Sequence, residues 1–235
     1  MKKGKTWLIN AAKAVLTVAV MCFALQAFSA DKTVFIKNLE KGKPMTMVAY
    51  GTSLTETGGW VNLLRMRLTD RYGDKVQVIN GAKSAMWSGW GVENLDERVL
   101  AHKPDLVVLE FAVNDAFLEY ETSVAKSRAN MENMIGRIKK QNKKCEIIIM
   151  VTNPMMGVHL ERRPDYLSYY EEFRKIAAEN KFRLVDTFPV WKDVLDYDRK
   201  AYLALIPDMI HPQVPGSLLV TVPAVEAALY GTTYK

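Results

Sequence analysis

The chain has 235 residues, 49% apolar and 25% charged, the composition of an ordinary globular protein long enough to bury one substantial core. Its formal charge of +6 includes Lys2, Lys3, Lys5 and Lys13, which lie in a leader without acids, so the remainder carries +2 and implies no basic surface for nucleic acid. The densest basic run, Lys139-Lys140-Gln141-Asn142-Lys143-Lys144, reads as a solvated helix end.

The leader comes first in the chain. Lys2, Lys3 and Lys5 precede an apolar run from Ala14 to Phe28 that is too short to span a bilayer and ends in small residues. This pattern predicts a secretory signal peptide over residues 1–29. Ala27 and Ser29 fit cleavage after Ser29, and cleavage after Ala30 fits nearly as well. Cys22 follows Val20 and Met21, where a lipoprotein anchor wants a small residue, so no lipid anchor is expected. The mature chain, 30–235, is expected to be one domain, periplasmic or extracellular, with no stable membrane anchor after cleavage. Its single cysteine, Cys145, opens an apolar run and reads as a buried, inert thiol.

Along that domain, strand and helix patterns alternate. Val34-Phe35-Ile36 reads as a short edge strand, and Met45 to Gly51 as the first central strand. Trp60, Leu64, Leu68 and Tyr72 recur at four-residue spacing and predict an amphipathic helix ended by Gly73. Val76 to Ile79 is a second strand, Val92 to His102 a helix closed by Pro104, and Leu106 to Phe111 a third strand. Val124, Met131, Ile135 and Ile138 stripe a long helix, and Ile147 to Val151 is a fourth strand, apolar enough to be covered on both faces. A helix starting near Pro164 and a fifth strand, Arg183 to Asp186, follow. The region after Thr187 reads as loop-rich with a helical piece near Tyr202. The last helix, Pro215 to Leu229, contains Pro223 as a kink or restart. Such alternation implies right-handed crossovers and a parallel sheet of about five strands with helices on both faces, a three-layer α/β/α sandwich.

Chemistry concentrates at strand ends. The first strand stops at Gly51 and releases Ser53 into a turn, the edge at which parallel sheets collect reacting groups. Gly, Thr and Ser occupy such turns for conformational reasons alone, so Ser53 needs a base before it is a nucleophile. Of three histidines, His102 sits at a helix end. His159 lies in the loop Met155 to Arg163, within reach of a substrate. His211 stands in Pro207-Asp208-Met209-Ile210-His211-Pro212, where a turn brings Asp208 to one ring nitrogen and leaves the other facing outward. Gly81 and Asn114, after the second and third strands, are candidate donors to an oxyanion. An α/β-hydrolase elbow is excluded, since it wants glycine two residues after the serine and Thr55 is there. No His or Cys pair stands at metal-ligand spacing, and no cofactor is expected.

These blocks together resemble the SGNH (GDSL) hydrolase superfamily across nearly the whole mature chain. Gly51-Thr52-Ser53-Leu54 matches the first block with Thr52 for the usual Asp. Asn80-Gly81 matches the second, Ala112-Val113-Asn114-Asp115 the third with Ala112 for Gly, and Asp208-Met209-Ile210-His211 the last. The resemblance implies a flavodoxin-like fold and a serine esterase with triad Ser53, His211 and Asp208 and an oxyanion hole from Ser53, Gly81 and Asn114. Trp87 and Trp90, with Asn153, His159, Arg162 and Arg163, are candidate contacts for a polar or anionic sugar. O-deacetylation of a carbohydrate is the expected activity. A lipid or aryl-ester acylhydrolase is the second reading, and a glycan-binding protein on an inactivated scaffold the third. The glycan, the ester position and the oligomeric state are not given by the sequence.

Overall fold

The computed structural model describes residues 31–233, so the signal peptide read over 1–29 lies outside the described residues. Five parallel strands form one sheet: β1 (Met45–Gly51), β2 (Val76–Asn80), β3 (Leu106–Glu110), β4 (Glu146–Val151) and β5 (Arg183–Asp186), in the order β2-β1-β3-β4-β5. The chain leaves β1 for β2 on one side and returns across it to β3 on the other. The carboxyl ends of β1 and β3 therefore flank a topological switch point, where open α/β sheets form their crevices.

Both faces of the sheet are covered, which explains why the central strands are apolar without alternation. Val48, Tyr50, Val107, Leu109, Ile147 and Ile149 face one layer, with Met131, Met134, Ile135 and Ile138 of the long helix α3 (Val124–Gln141) and Tyr170, Phe173 and Ile176 of α4 (Tyr166–Glu179). Met47, Ala49, Val108, Ile148 and Met150 face the other, against α1 (Val34–Leu39), α2 (Trp60–Tyr72) and α7 (Val222–Tyr230). Two layers of helices around the sheet make the α/β/α sandwich.

Several elements differ from the sequence expectation. Val34-Phe35-Ile36 is helix α1, not an edge strand. The Thr33 hydroxyl accepts from Ile36 N, and the Glu146 carboxylate, at the start of β4, accepts from Val34 N (2.9 Å) and Phe35 N (2.7 Å). A capped helix N-terminus facing a carboxylate outweighs the β preference of Val and Ile. The stretch expected as one helix over Val92 to His102 begins earlier and is broken into Ser88–Glu93, Leu95–Arg98 and a 3-10 turn, Leu100–His102. The region after Thr187 is helical rather than loop-rich: α5 (Phe188–Tyr197) starts with Pro189 in its first turn, where a missing N–H costs nothing, and Asp198 then caps α6 (Arg199–Leu205). The last helical run passes from Val214–Gly216 through a π-helical turn, Ser217–Thr221, into α7. Pro223 has no N–H to continue the ordinary ladder there, and the wider turn absorbs the skip.

Candidate active site

The site is built upward from Gly51, which ends β1. A methyl group there would lie 2.8 Å from Glu110 Oε2 and 2.9 Å from Thr55 Oγ1, so only glycine lets the turn close onto β3. Thr52, in place of the acid usual to the family, caps the short helix Ser53–Glu56 by accepting from Leu54 N at 3.2 Å. It also reaches down to Glu110, a carboxyl only 1% exposed. Thr52 N (3.1 Å), Thr52 Oγ1 (3.0 Å) and Thr55 Oγ1 (2.9 Å) all donate to Glu110 Oε2. Burial pushes the Glu110 carboxyl up to about 7 against these hydrogen bonds. A hydroxyl at position 52 fits where a second buried acid would repel the first.

Ser53 is the first residue of its helix. Its hydroxyl lies 2.8 Å from His211 Nε2, and His211 Nδ1 lies 2.6 Å from Asp208 Oδ2. Partial burial raises the Asp208 carboxyl, but hydrogen bonds from His211 N, the His211 ring and Ile210 N outweigh it and hold the group below its ordinary value. An ionised Asp208 can only accept, so the proton sits on Nδ1 and Nε2 is left as acceptor for the serine O–H. The loop bearing His211 is fixed from β4. Asn153 is buried, and its Nδ2 donates to Ile210 O at 3.0 Å.

Asn114 lies in a short helix, Ala112–Asp115, at the end of β3, and lines a cavity of about 370 Å³ with Ser53 and His211. Gly81 does not serve as its partner donor. Its N–H continues the sheet ladder to Ala49 O at 2.9 Å, and a methyl group there would lie 2.6 Å from Arg98 O, so close backbone packing accounts for the glycine. Ala85 takes that place in the cavity wall, with a left-handed φ of 58° that holds a non-glycine residue in a conformation common only at turns. Its N–H, like that of Ser53, has no protein acceptor among the described residues. The segment carrying Ala85 is pinned at both ends: Ser84 N donates to Glu56 Oε2 at 2.6 Å, and Ser88 N to the buried Asp115 at 2.7 Å. No sequence signal marks an alanine for this role; its backbone angle does.

The proposed substrate contacts separate. His159 lines the cavity, and burial and the nearby Arg163 cation lower its pKa. Arg163 lines it as well, whereas Arg162 is exposed and is not part of the lining. Trp87 stacks on Tyr120 with ring centroids 4.6 Å apart, and Tyr120, not Trp87, forms the wall. Trp90 packs against Tyr50 and beneath Arg98. Asn153 supports the histidine loop instead of facing the cavity. Thr57, Ser84, Phe117 and Ile210 complete the lining.

Among curated proteins, an arylesterase from Vibrio mimicus is 30% identical over 129 residues, which is 55% of this chain. The chain spans 60% of the length of that relative. Among solved structures, a catalytic mutant of Axe2, an acetylxylan esterase from Geobacillus stearothermophilus, superposes with a TM-score of 0.68 at 21% identity, over 83% of this chain and 99% of that one. LAE5, an alpha/beta hydrolase enzyme from the metagenome of Lake Arreo, superposes with a TM-score of 0.67 at 20% identity, over 80% and 95% of the two chains. These structures share the fold. A family model described as the GDSL-like lipase/acylhydrolase family matches residues 47–218, so this chain belongs to the GDSL-like lipase/acylhydrolase family.

Proposed function

We propose that the protein is an exported serine esterase that removes short acyl groups, O-acetyl groups above all, from a carbohydrate. The observation that carries the reading is the continuous relay from Ser53 Oγ to His211 Nε2 and from His211 Nδ1 to Asp208, opening on a cavity of about 370 Å³. In the first half-reaction Ser53 Oγ attacks the ester carbonyl, His211 Nε2 takes its proton, and Asp208 stabilises the imidazolium. The N–H groups of Ser53 and Ala85, with Asn114 Nδ2, receive the oxyanion. His211 returns the proton to the leaving alcohol, and water, deprotonated by the same imidazole, releases the acid from Ser53.

The cavity is small and mixed in polarity, which suits a short acyl group better than a fatty chain. Among the described residues no helix is long and apolar enough to cross a membrane. The acetylxylan esterase fold neighbour and the lysine-led leader support an exported carbohydrate esterase. Two observations favour an aryl ester as the second reading: the arylesterase relative, and the Phe117 and Tyr120 rings in the wall. Purified protein offered acetylated xylooligosaccharides, phenyl acetate and lysophospholipid in parallel distinguishes them. Acetate release from the oligosaccharide with kcat/KM at least tenfold above phenyl acetate supports the first reading. Preference for the aryl ester supports the second, and fatty-acid release alone rejects both.

A further inference from the structure

Arg163 is 8% exposed, yet among the described residues it has no carboxylate within ion-pair distance. Buried guanidinium groups are normally paired with an acid, because an isolated charge is costly away from water. Here every partner is neutral. Nε donates to Val113 O at 2.9 Å, Nη2 donates to Asn114 Oδ1 at 3.0 Å, and the guanidinium carbon lies 4.5 Å from the centre of the Phe117 ring. The residue also lines the cavity that holds Ser53 and His211. Burial lowers its pKa by disfavouring the charged form, and the Glu119 carboxylate, beyond ion-pair distance, offsets this only in part.

The contact with Asn114 has a definite chemical sense. A guanidinium can only donate, so Oδ1 of Asn114 must face Arg163. The amide nitrogen then faces away, and one of its two hydrogens goes to Met86 O at 2.9 Å. The second hydrogen is left for the cavity. Pulling electron density toward Oδ1 makes that remaining N–H a stronger donor, because hydrogen bonds in a chain polarise one another. The cation also stands one side chain behind the place where negative charge develops, inside a site of low dielectric.

We propose that Arg163 is a positioning residue that fixes and polarises the Asn114 amide, and that it acts on the oxyanion of the tetrahedral transition state through that amide. The inference rests on the esterase reading, with Asn114 as an oxyanion donor. Because the opposing charge exists only during reaction, the effect belongs to kcat and not to substrate binding.

A double-mutant cycle on 4-nitrophenyl acetate tests it, using Arg163→Met, Asn114→Ala and the pair, with kcat and KM measured separately and folding checked by urea midpoint. Arg163→Met is expected to lower kcat about 10²-fold with KM changed less than about threefold, and to cost less than about threefold once Asn114 is alanine. An equal loss in both backgrounds, or no loss of kcat in the first, overturns the proposal. If Arg163→Met does not fold, Arg163→Lys goes through the same cycle, where an Asn114-dependent loss supports the proposal and an Asn114-independent one overturns it. Wild-type turnover in Asn114→Ala alone instead strikes at the esterase reading's oxyanion hole.

Discussion

At Ser53 the chemistry depends on which imidazole nitrogen of His211 carries the proton, and Asp208 decides that. In Asp208→Asn the side-chain oxygen still accepts from Ile210 N and His211 N, so the loop keeps its shape. The amide no longer demands a proton on Nδ1, the competing tautomer places it on Nε2, and the serine loses its acceptor. kcat for acetyl esters is expected to fall about 10³- to 10⁴-fold with the urea midpoint little changed. A loss below tenfold would mean that Asp208 does not govern the tautomer. Asn114→Ala removes one oxyanion donor and is expected to lower kcat about 10²- to 10³-fold in a folded protein, as steady-state kinetics with a circular-dichroism check will show.

At the scale of elements, the strands were legible because β1, β3 and β4 are covered on both faces and so are apolar throughout, a pattern that survives any detail of packing. The site residues at their ends were legible for the same reason, since Ser53 and Asn114 follow the last strand residues closely. What the sequence hid depended on distant partners. Helix α1 exists where Val34-Phe35-Ile36 suggested a strand, because Glu146, more than a hundred residues later, supplies its N-terminal acceptors. Gly81 drew the oxyanion role because glycine permits close approach. The approach it permits is that of Arg98, while Ala85, whose N–H has no protein acceptor among the described residues, lines the cavity through a backbone angle that its side chain does not advertise. Glu146→Ala removes two hydrogen bonds to helix N–H groups and is expected to cost about 1–3 kcal/mol in urea unfolding, with turnover per folded molecule unchanged.

For the whole molecule, Glu110 links the nucleophile turn to stability. Its carboxyl is raised from an ordinary value of 4.5 to about 7, so between those values the folded protein holds a proton that the unfolded chain has lost. The unfolded state therefore binds fewer protons, and the contribution of this group to the unfolding free energy declines as pH rises from about 4.5 to 7 and is constant above. Glu110→Gln has no such proton. Its stability relative to wild type is expected to rise with pH across that window, by on the order of 3 kcal/mol in total, and to level off above it. Urea midpoints of the two proteins at half-unit pH steps give the difference directly, and a difference independent of pH would show that Glu110 is ionised throughout.

The central claim is that Ser53 is the nucleophile of an ester hydrolase, and covalent trapping tests it most directly. Wild-type protein is treated with a fluorophosphonate, which transfers its phosphonyl group to an activated serine hydroxyl with loss of fluoride, and the adduct is mapped by peptide mass spectrometry. One phosphonyl group on Ser53, accumulating in step with the loss of acetyl-esterase activity and absent from Ser53→Ala and from His211→Ala, is the predicted result. Inactivation with the label on another residue, or full esterase activity in Ser53→Ala, would contradict it.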